Sequence, residues 1–450
     1  MVDFNYNYTR ISSDSVPGFP TDTAAFVNPG SLVPNVFANA SINNKGDVSY
    51  EGFVGYSTVH LPPSTIYSGD GQGSPTPVIN TTKYQLTDNT GKTYDSSIFF
   101  NSSSNDSGTT VFASSAYDFG TPEANGSGPS AIISVTNGSI NTVAYQSTPF
   151  VTVPFNPNVS LDNPGNDLAT GSFVSAAGIN NQGTITYIAG NSDGTSNLYA
   201  KSSSGAITTI ASTAGNSHLS DFYLGGLDVD RGEGPFAKYT LPSINDKGAV
   251  AFNADLKGGG KGIFVGDGSS LNTVVAQTTQ GPFSYLSAPS LNNNDTVAFN
   301  AGLTTGGAAI LESTDGKLTT IADTSSGSIF KDFKSDVALN QEGDVAILAD
   351  LNDGSTAIYT KSALGLKKVI SVGDSLDGSI VTSLFISHKG LNDDGQIAFD
   401  AMLANGGLEV FRAEPVAVPA PSSISFLAIG MLSMICYRWR RRRGCVAPLS

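Results

Sequence analysis

The sequence predicts an all-β protein: a β-propeller of seven four-stranded blades closed by its N-terminal strand, followed by a short C-terminal hydrophobic helix. Three observations carry this. The composition is rich in turn residues and poor in charge, a hairpin motif recurs seven times, and the two chain ends read as halves of one blade. Gly contributes 50 and Pro 22 of 450 residues, and charged residues only 14%. A coiled coil needs far more charge and less Gly, and collagen needs Gly at every third position. The 24 Phe and 16 Tyr set among Val and Ile runs exclude full disorder. A polytopic membrane protein needs several long apolar stretches, and this chain has one.

The motif is an apolar residue, Asn, two variable residues, Gly, one further residue and a β-type run. Six copies are clear: Ile42 to Tyr50, Ile179 to Tyr187, Ile244 to Phe252, Leu291 to Phe299, Leu339 to Ile347 and Leu391 to Phe399. A degenerate seventh copy holds Asn105 and Gly108 ahead of Val111-Phe112. The motif predicts a hairpin. The side chains of Asn43, Asn180, Asn245, Asn292, Asn340 and Asn392 can each bond the backbone two residues on, as an Asx-turn. Gly46, Gly183, Gly248, Gly343 and Gly395 supply the positive φ that closes the loop. Asp295 takes the Gly place in one copy, and Asp tolerates that region better than most residues. The run that follows alternates sides as a strand does.

A second hairpin follows each copy: a small-apolar-aromatic strand, a polar turn with Gly, and a Thr-rich strand. Gly262-Ile263-Phe264 with Leu271 to Val274 is one example, and Asn197-Leu198-Tyr199 with Ile207 to Ile210 is another. Two hairpins per period make four strands in about 50 residues, the size of a propeller blade. After the seventh copy the chain supplies Gly407 to Arg412 and no Thr-type partner. Tyr8 to Ser12 has that missing pattern and no hairpin before it. The N-terminal strand would therefore complete the last blade and remove the exposed edges. A β-solenoid or two-sheet stack would accommodate the hairpins but would not need complementary ends.

The repeated Asn-x-x-Gly-x-x-Ala-Phe pattern, over most of residues 40–412, resembles the choice-of-anchor tandem-repeat family of bacterial surface proteins. That resemblance implies a surface location and no particular activity.

The expected organisation is a propeller at 1–412, a Pro-containing linker at 413–423, a transmembrane-like helix at 424–437 and a basic tail at 438–450. Arg438, Arg440, Arg441, Arg442 and Arg443 crowd the end of the chain, and no acid follows Glu414. Residues 1–415 hold 18 basic against 38 acidic side chains. Such a body repels nucleic acid, so no nucleic-acid partner is expected. Both cysteines, Cys436 and Cys445, and the only Trp, Trp439, also lie in the tail, which excludes disulfide and thiol chemistry from the body. The apolar run Ile424 to Tyr437 would make about 21 Å of helix, and the Arg block after it would stay cytoplasmic with the body outside. Pro419-Ala420-Pro421, the apolar run and the Arg cluster together resemble the PEP-CTERM sorting signal of exosortase substrates, with Ala420 where that motif has Glu. The resemblance implies an exosortase-like processing enzyme as partner, membrane insertion before processing, and a final place at the cell surface or in an exopolysaccharide matrix. Met1 to Arg10 carries neither the cationic nor the apolar region of a signal peptide.

Catalytic signals are sparse. His60, His218 and His388 fall in different repeats without ligand spacing. No Gly-x-Ser-x-Gly elbow or phosphate-binding Gly loop opens a helix. Asp228, Asp230 and Glu233 lie within seven residues and offer the oxygen ligands that Ca²⁺ takes; no other cofactor is expected. These observations favour a non-catalytic cell-envelope protein that binds glycan or a surface protein. The alternative is a propeller glycoside hydrolase or lyase, which would gather carboxylates in its central funnel.

Overall fold

The computed structural model describes residues 6–12, 40–53, 64–80, 84–87, 91, 93–94, 97–118, 126–146, 173–190, 195–222, 242–277, 281–334, 336–405 and 408–416. Tyr8–Glu414 is one compact unit. A second unit, residues 1–7 and 415–450, falls almost wholly outside the described residues. The apolar run, the Arg cluster, the predicted C-terminal helix and most of the linker lie there, but Ala413 to Pro415, expected as the start of the linker, instead end the strand Leu408–Pro415.

Among the described residues every regular element is a strand, and seven small antiparallel sheets form a seven-bladed propeller. Blade 4 shows the plan. Its second strand, Val250–Leu256, pairs with Lys261–Gly266, which pairs with the outer strand Leu271–Gln277. The innermost strand comes in two pieces, Leu219–Asp221 and Ser243–Ile244, both paired with Val250–Leu256. The innermost strands of blades 5 and 6 are divided in the same way. Each motif thus joins the inner strand to the second strand, and the second hairpin supplies the outer pair, as the sequence predicts.

The aromatic residues of the two hairpins meet across the sheet. Tyr50 lies opposite Tyr67, Tyr187 opposite Tyr199, Phe252 opposite Phe264 and Phe399 opposite Phe411. Their ring centroids stand 5.5–5.8 Å apart, within the favourable range for aromatic pairs. In blades 1 to 6 the outer pair carries a register shift beside this position, for instance at Ile66/Tyr67, Leu198/Tyr199 and Ile358/Tyr359. A bulge there adds local twist. Apolar side chains from neighbouring blades form shared clusters. Ile188, Leu198 and Ile210 of blade 3 pack with Phe222, Val250 and Phe252 of blade 4. The core is therefore distributed between blades.

The ring closes as the ends of the sequence predict. Tyr6–Arg10 is the outer strand of the last sheet, beside Leu408–Pro415. The chain then continues past it, with Ile11 donating its N–H to the Val410 carbonyl at 2.8 Å and Val410 donating to Ser12 Oγ at 3.0 Å.

Candidate functional site

The seven motif turns converge at one mouth of the central channel, where a shared cavity of ≈ 140 Å³ is lined by the turns of six blades and by Ser290 and Leu291 just before the turn of blade 5. Each turn is built the same way. The Gly, or Asp295 in blade 5, donates its N–H to the carbonyl of the motif Asn. The Asn Oδ1 accepts the N–H four residues on in all seven turns, at 2.8–3.0 Å. The residue in the Gly place needs positive φ, and Asp295 adopts 58° where Gly248 adopts 88°.

The remaining Asn group, Nδ2, points to the next blade. Asn43 donates to the Asn105 carbonyl, Asn105 to Asn180, Asn180 to Asn245, Asn245 to Asn292, Asn292 to Asn340, Asn340 to Asn392, and Asn392 back to Asn43. All seven distances are 2.9–3.2 Å, and the circle is closed. Asn105, from the degenerate copy, is a full member. Asn alone suits this position, because it needs an acceptor for its own turn and a donor for its neighbour on one short side chain.

A second circle runs beside the first. The residue after each motif Asn donates its backbone N–H to the side-chain oxygen of the corresponding residue in the next blade. The order is Asn44, Asp106, Asn181, Asp246, Asn293, Gln341, Asp393 and back to Asn44, at 2.5–3.0 Å. The sequence reading treats this position as variable and misses it. The signal was present, since every copy carries Asn, Asp or Gln there. Burial holds the Asp393 carboxyl above its usual range, against the lowering effect of bonds from Gln341 and Asn44.

The same cavity is also lined by Ser41, Ser103, Ser243 and Ser290, with His388 and Lys389 of blade 7. The Lys389 ammonium reaches Ser103 Oγ of blade 2 at 2.7 Å. His388 is 5% exposed and its Nε2 has no partner. Burial, then the neighbouring Lys389 charge, pushes its pKa down to about 3, so the imidazole is neutral at physiological pH.

Behind the inner strands, buried polar side chains stitch blade to blade. Asn253 Nδ2 donates to the Ser287 carbonyl at 2.8 Å and Asn300 Nδ2 to the Phe333 carbonyl at 3.3 Å. At the equivalent place blades 1 and 7 carry Glu51 and Asp400, which accept backbone N–H groups of Asn101 and Ser102, and of Ala40. Burial raises both, Asp400 to about 7 and Glu51 well above the carboxylate range. Asp336, which accepts the Ala288 N–H at 3.1 Å, is raised by burial to about 6.

Asp228, Asp230 and Glu233 lie outside the described residues, as do His60, Pro419, Ala420, Pro421 and the Arg cluster from Arg438 to Arg443. Among the described residues no group of three or more His, Cys, Asp or Glu side chains could hold a metal ion. No helix among them is long and apolar enough to cross a membrane.

A family model described as a family of unknown function (DUF7453) matches residues 21–277 and 225–425. No curated protein matches. Among solved structures, the chain is similar to the BP39L lectin from Burkholderia pseudomallei, at 11% identity and a TM-score of 0.43, over 85% of this chain and 99% of the lectin. It is also similar to an acylaminoacyl peptidase from Pyrococcus horikoshii, at 9% identity and a TM-score of 0.45, over 87% of this chain and 54% of the peptidase. At these scores neither likeness says what this chain binds or does.

Proposed function

The chain belongs to this DUF7453 family, and on that footing we propose that it is a non-catalytic binding propeller of the bacterial cell surface or exopolysaccharide matrix. Its ligand is a glycan or another surface protein, and its C-terminal tail directs it there through an exosortase-like enzyme.

The observation that supports a binding role is how the polar groups of the channel mouth are employed. Asp106, Asp246 and Asp393 each hold the N–H of a neighbouring turn. A glycosidase needs two carboxyl groups about 5–10 Å apart and free to exchange protons and reach substrate. Carboxylates tied into a closed circle stiffen the mouth instead, and a stiff scaffold presents its loops with little ordering cost on binding. The surface location is supported by the sequence: an acidic body, an apolar run, and the Arg cluster that follows it.

The test is intact mass of the native protein from fractionated cells, followed by binding of the recovered species to the cells' own polysaccharide. A species lacking everything after about residue 421, in the surface or secreted fraction, bears out the sorting reading. A full-length mass in the soluble cytoplasm overturns it. Release of reducing ends from the polysaccharide would overturn the non-catalytic reading.

A further inference from the structure

We propose that Asn137, at the tip of the outer hairpin of blade 2, is a site of spontaneous covalent modification: its side-chain amide is lost through a cyclic imide, leaving aspartate or isoaspartate.

The inference starts from how this tip is built. Gly126–Thr136 and Ser139–Gln146 pair antiparallel with Thr136 opposite Ser139, so Asn137 and Gly138 alone make the turn. Both have positive φ, 48° and 77°, as a two-residue hairpin turn of this kind requires. Both are exposed. Nothing lies within 4 Å of where a Gly138 Cβ would stand, so that side of Gly138 is open. The strand Ser139–Gln146 is the outer edge of its sheet, and opening such a tip breaks few contacts. The chain has three Asn-Gly pairs, and this is the one whose two residues are both described.

The chemistry follows from this neighbourhood, because asparagine is a thermolabile side chain and its neighbour is glycine. The Gly138 backbone nitrogen gives its proton to hydroxide and attacks the Asn137 side-chain carbonyl carbon. An N–Cγ bond forms, the Cγ–Nδ2 bond breaks, and Nδ2 leaves as ammonia with a proton from water. Bringing the two atoms together needs a backbone rotation at the tip, which a residue without a Cβ permits most easily. The product is a five-membered succinimide, and water then adds to one of its two carbonyls. Opening at the side-chain carbonyl gives aspartate. Opening at the main-chain carbonyl gives isoaspartate, in which the chain runs through the side chain and is one carbon longer. The net exchange is one water taken up and one ammonia released, with no change of oxidation state.

The fold decides what each product does. Asp315-Gly316 in blade 5 and Asp377-Gly378 in blade 7 also make two-residue turns, closed by Thr314 opposite Lys317 and by Leu376 opposite Ser379. Their φ values are 51° and 75°, and 48° and 76°, matching those of Asn137 and Gly138. Aspartate at position 137 therefore fits the turn as it stands and adds one negative charge. Isoaspartate puts one more atom into the loop and cannot keep Thr136 opposite Ser139. This site is independent of where the protein resides and of what its outer surface binds.

The test is incubation of the full folded chain in mildly alkaline buffer made with oxygen-18 water, followed by peptide mapping. The peptide holding Asn137 is expected to gain the amide-to-acid mass shift with its label, in aspartyl and isoaspartyl forms, and Asn137→Gln should lose it. The buried Asn101, which precedes Ser102, should stay unlabelled. Asn137→Asp should melt with the wild type, whereas the isoaspartyl fraction, separated by ion exchange, should melt lower. A folded chain that leaves Asn137 intact while a synthetic peptide of residues 131–143 converts overturns the proposal, as does labelling at Asn137 no faster than at Asn101. A lowered melting midpoint in Asn137→Asp overturns the reading of the blade 5 and blade 7 turns as images of the aspartyl product.

Discussion

A single motif Asn performs three tasks, and its chemistry leaves no substitute. In Asn292 the Oδ1 accepts the N–H groups of Asn294 and Thr296, both at 3.0 Å, while Nδ2 donates to Asn340 at 3.1 Å. Asn292→Asp keeps the acceptor and the volume but replaces the donor with an oxygen facing a carbonyl. The expected cost is about 1–3 kcal/mol, measured by urea denaturation, with Asn292→Ala at least as damaging. Asp400 makes the opposite case. Its buried carboxyl has a pKa raised to about 7, above the unfolded value of about 3.9. A raised carboxyl stabilises the fold while it is protonated, and that contribution is lost as pH rises from about 4 through about 7. Asp336, raised to about 6, and Glu51 act in the same direction. The melting midpoint should therefore climb as pH falls from 8 to 5. Asp400→Asn should flatten part of that slope and raise stability at pH 8, since an amide oxygen can still accept the Ala40 N–H. A slope unchanged by the substitution would contradict the assignment.

At the scale of the element, the hairpin turn is a local solution that the rest of the blade inherits. Gly343 has φ 81°, and nothing lies within 4 Å of where its Cβ would be. Gly343→Ala therefore tests the backbone preference alone. It should cost about 1–2 kcal/mol and leave the spectroscopic signature of the folded state intact. The same substitution at Gly52 meets Tyr67 Cε2 at 2.7 Å and should cost more, because the strand and an aromatic ring must move apart. Comparing the two variants by thermal unfolding separates turn strain from overpacking.

At the scale of the whole molecule, stability depends on closure. Among the described residues, side chains of blade 7 reach the backbone of blade 1, and further contacts hold the N-terminal segment to the last blade. Arg412 Nη1 donates to the Gly46 carbonyl at 2.6 Å, and Ser387 Oγ donates to the Ala40 carbonyl at 2.6 Å. Ser12 Oγ bonds Glu409 at 2.6 Å, and Arg10 pairs with the same carboxylate at 2.6 Å. Ile11, 1% exposed, packs with Ile42, Tyr50 and Val410. Removing residues 1–12 unpairs the last strand and uncovers that cluster. The expected loss is about 3 kcal/mol or more, with self-association through the freed edge. A synthetic peptide of residues 6–12 added in trans should restore part of the melting midpoint. A truncated chain that melts like the full one would refute the closure argument.

The periodic Asn, Gly and aromatic positions determined the blades, because a turn that needs positive φ and a strand that alternates faces are both written in a few neighbouring residues. The complementary ends determined closure for the same reason: a hairpin without its partner is visible as a missing pattern. The hydrogen-bonded circles were decided only by the tertiary structure. Successive members stand 47 to 75 residues apart along the chain and the closing pairs 349 apart, so their meeting depends on seven blades returning to one axis. Asn44, Asp106 and Gln341 look like interchangeable turn residues until each is seen to hold the next blade. Lys389 is equally silent in the sequence. Nothing local marks a lysine whose side chain crosses the channel to Ser103, because only the packed ring brings blade 2 within its reach.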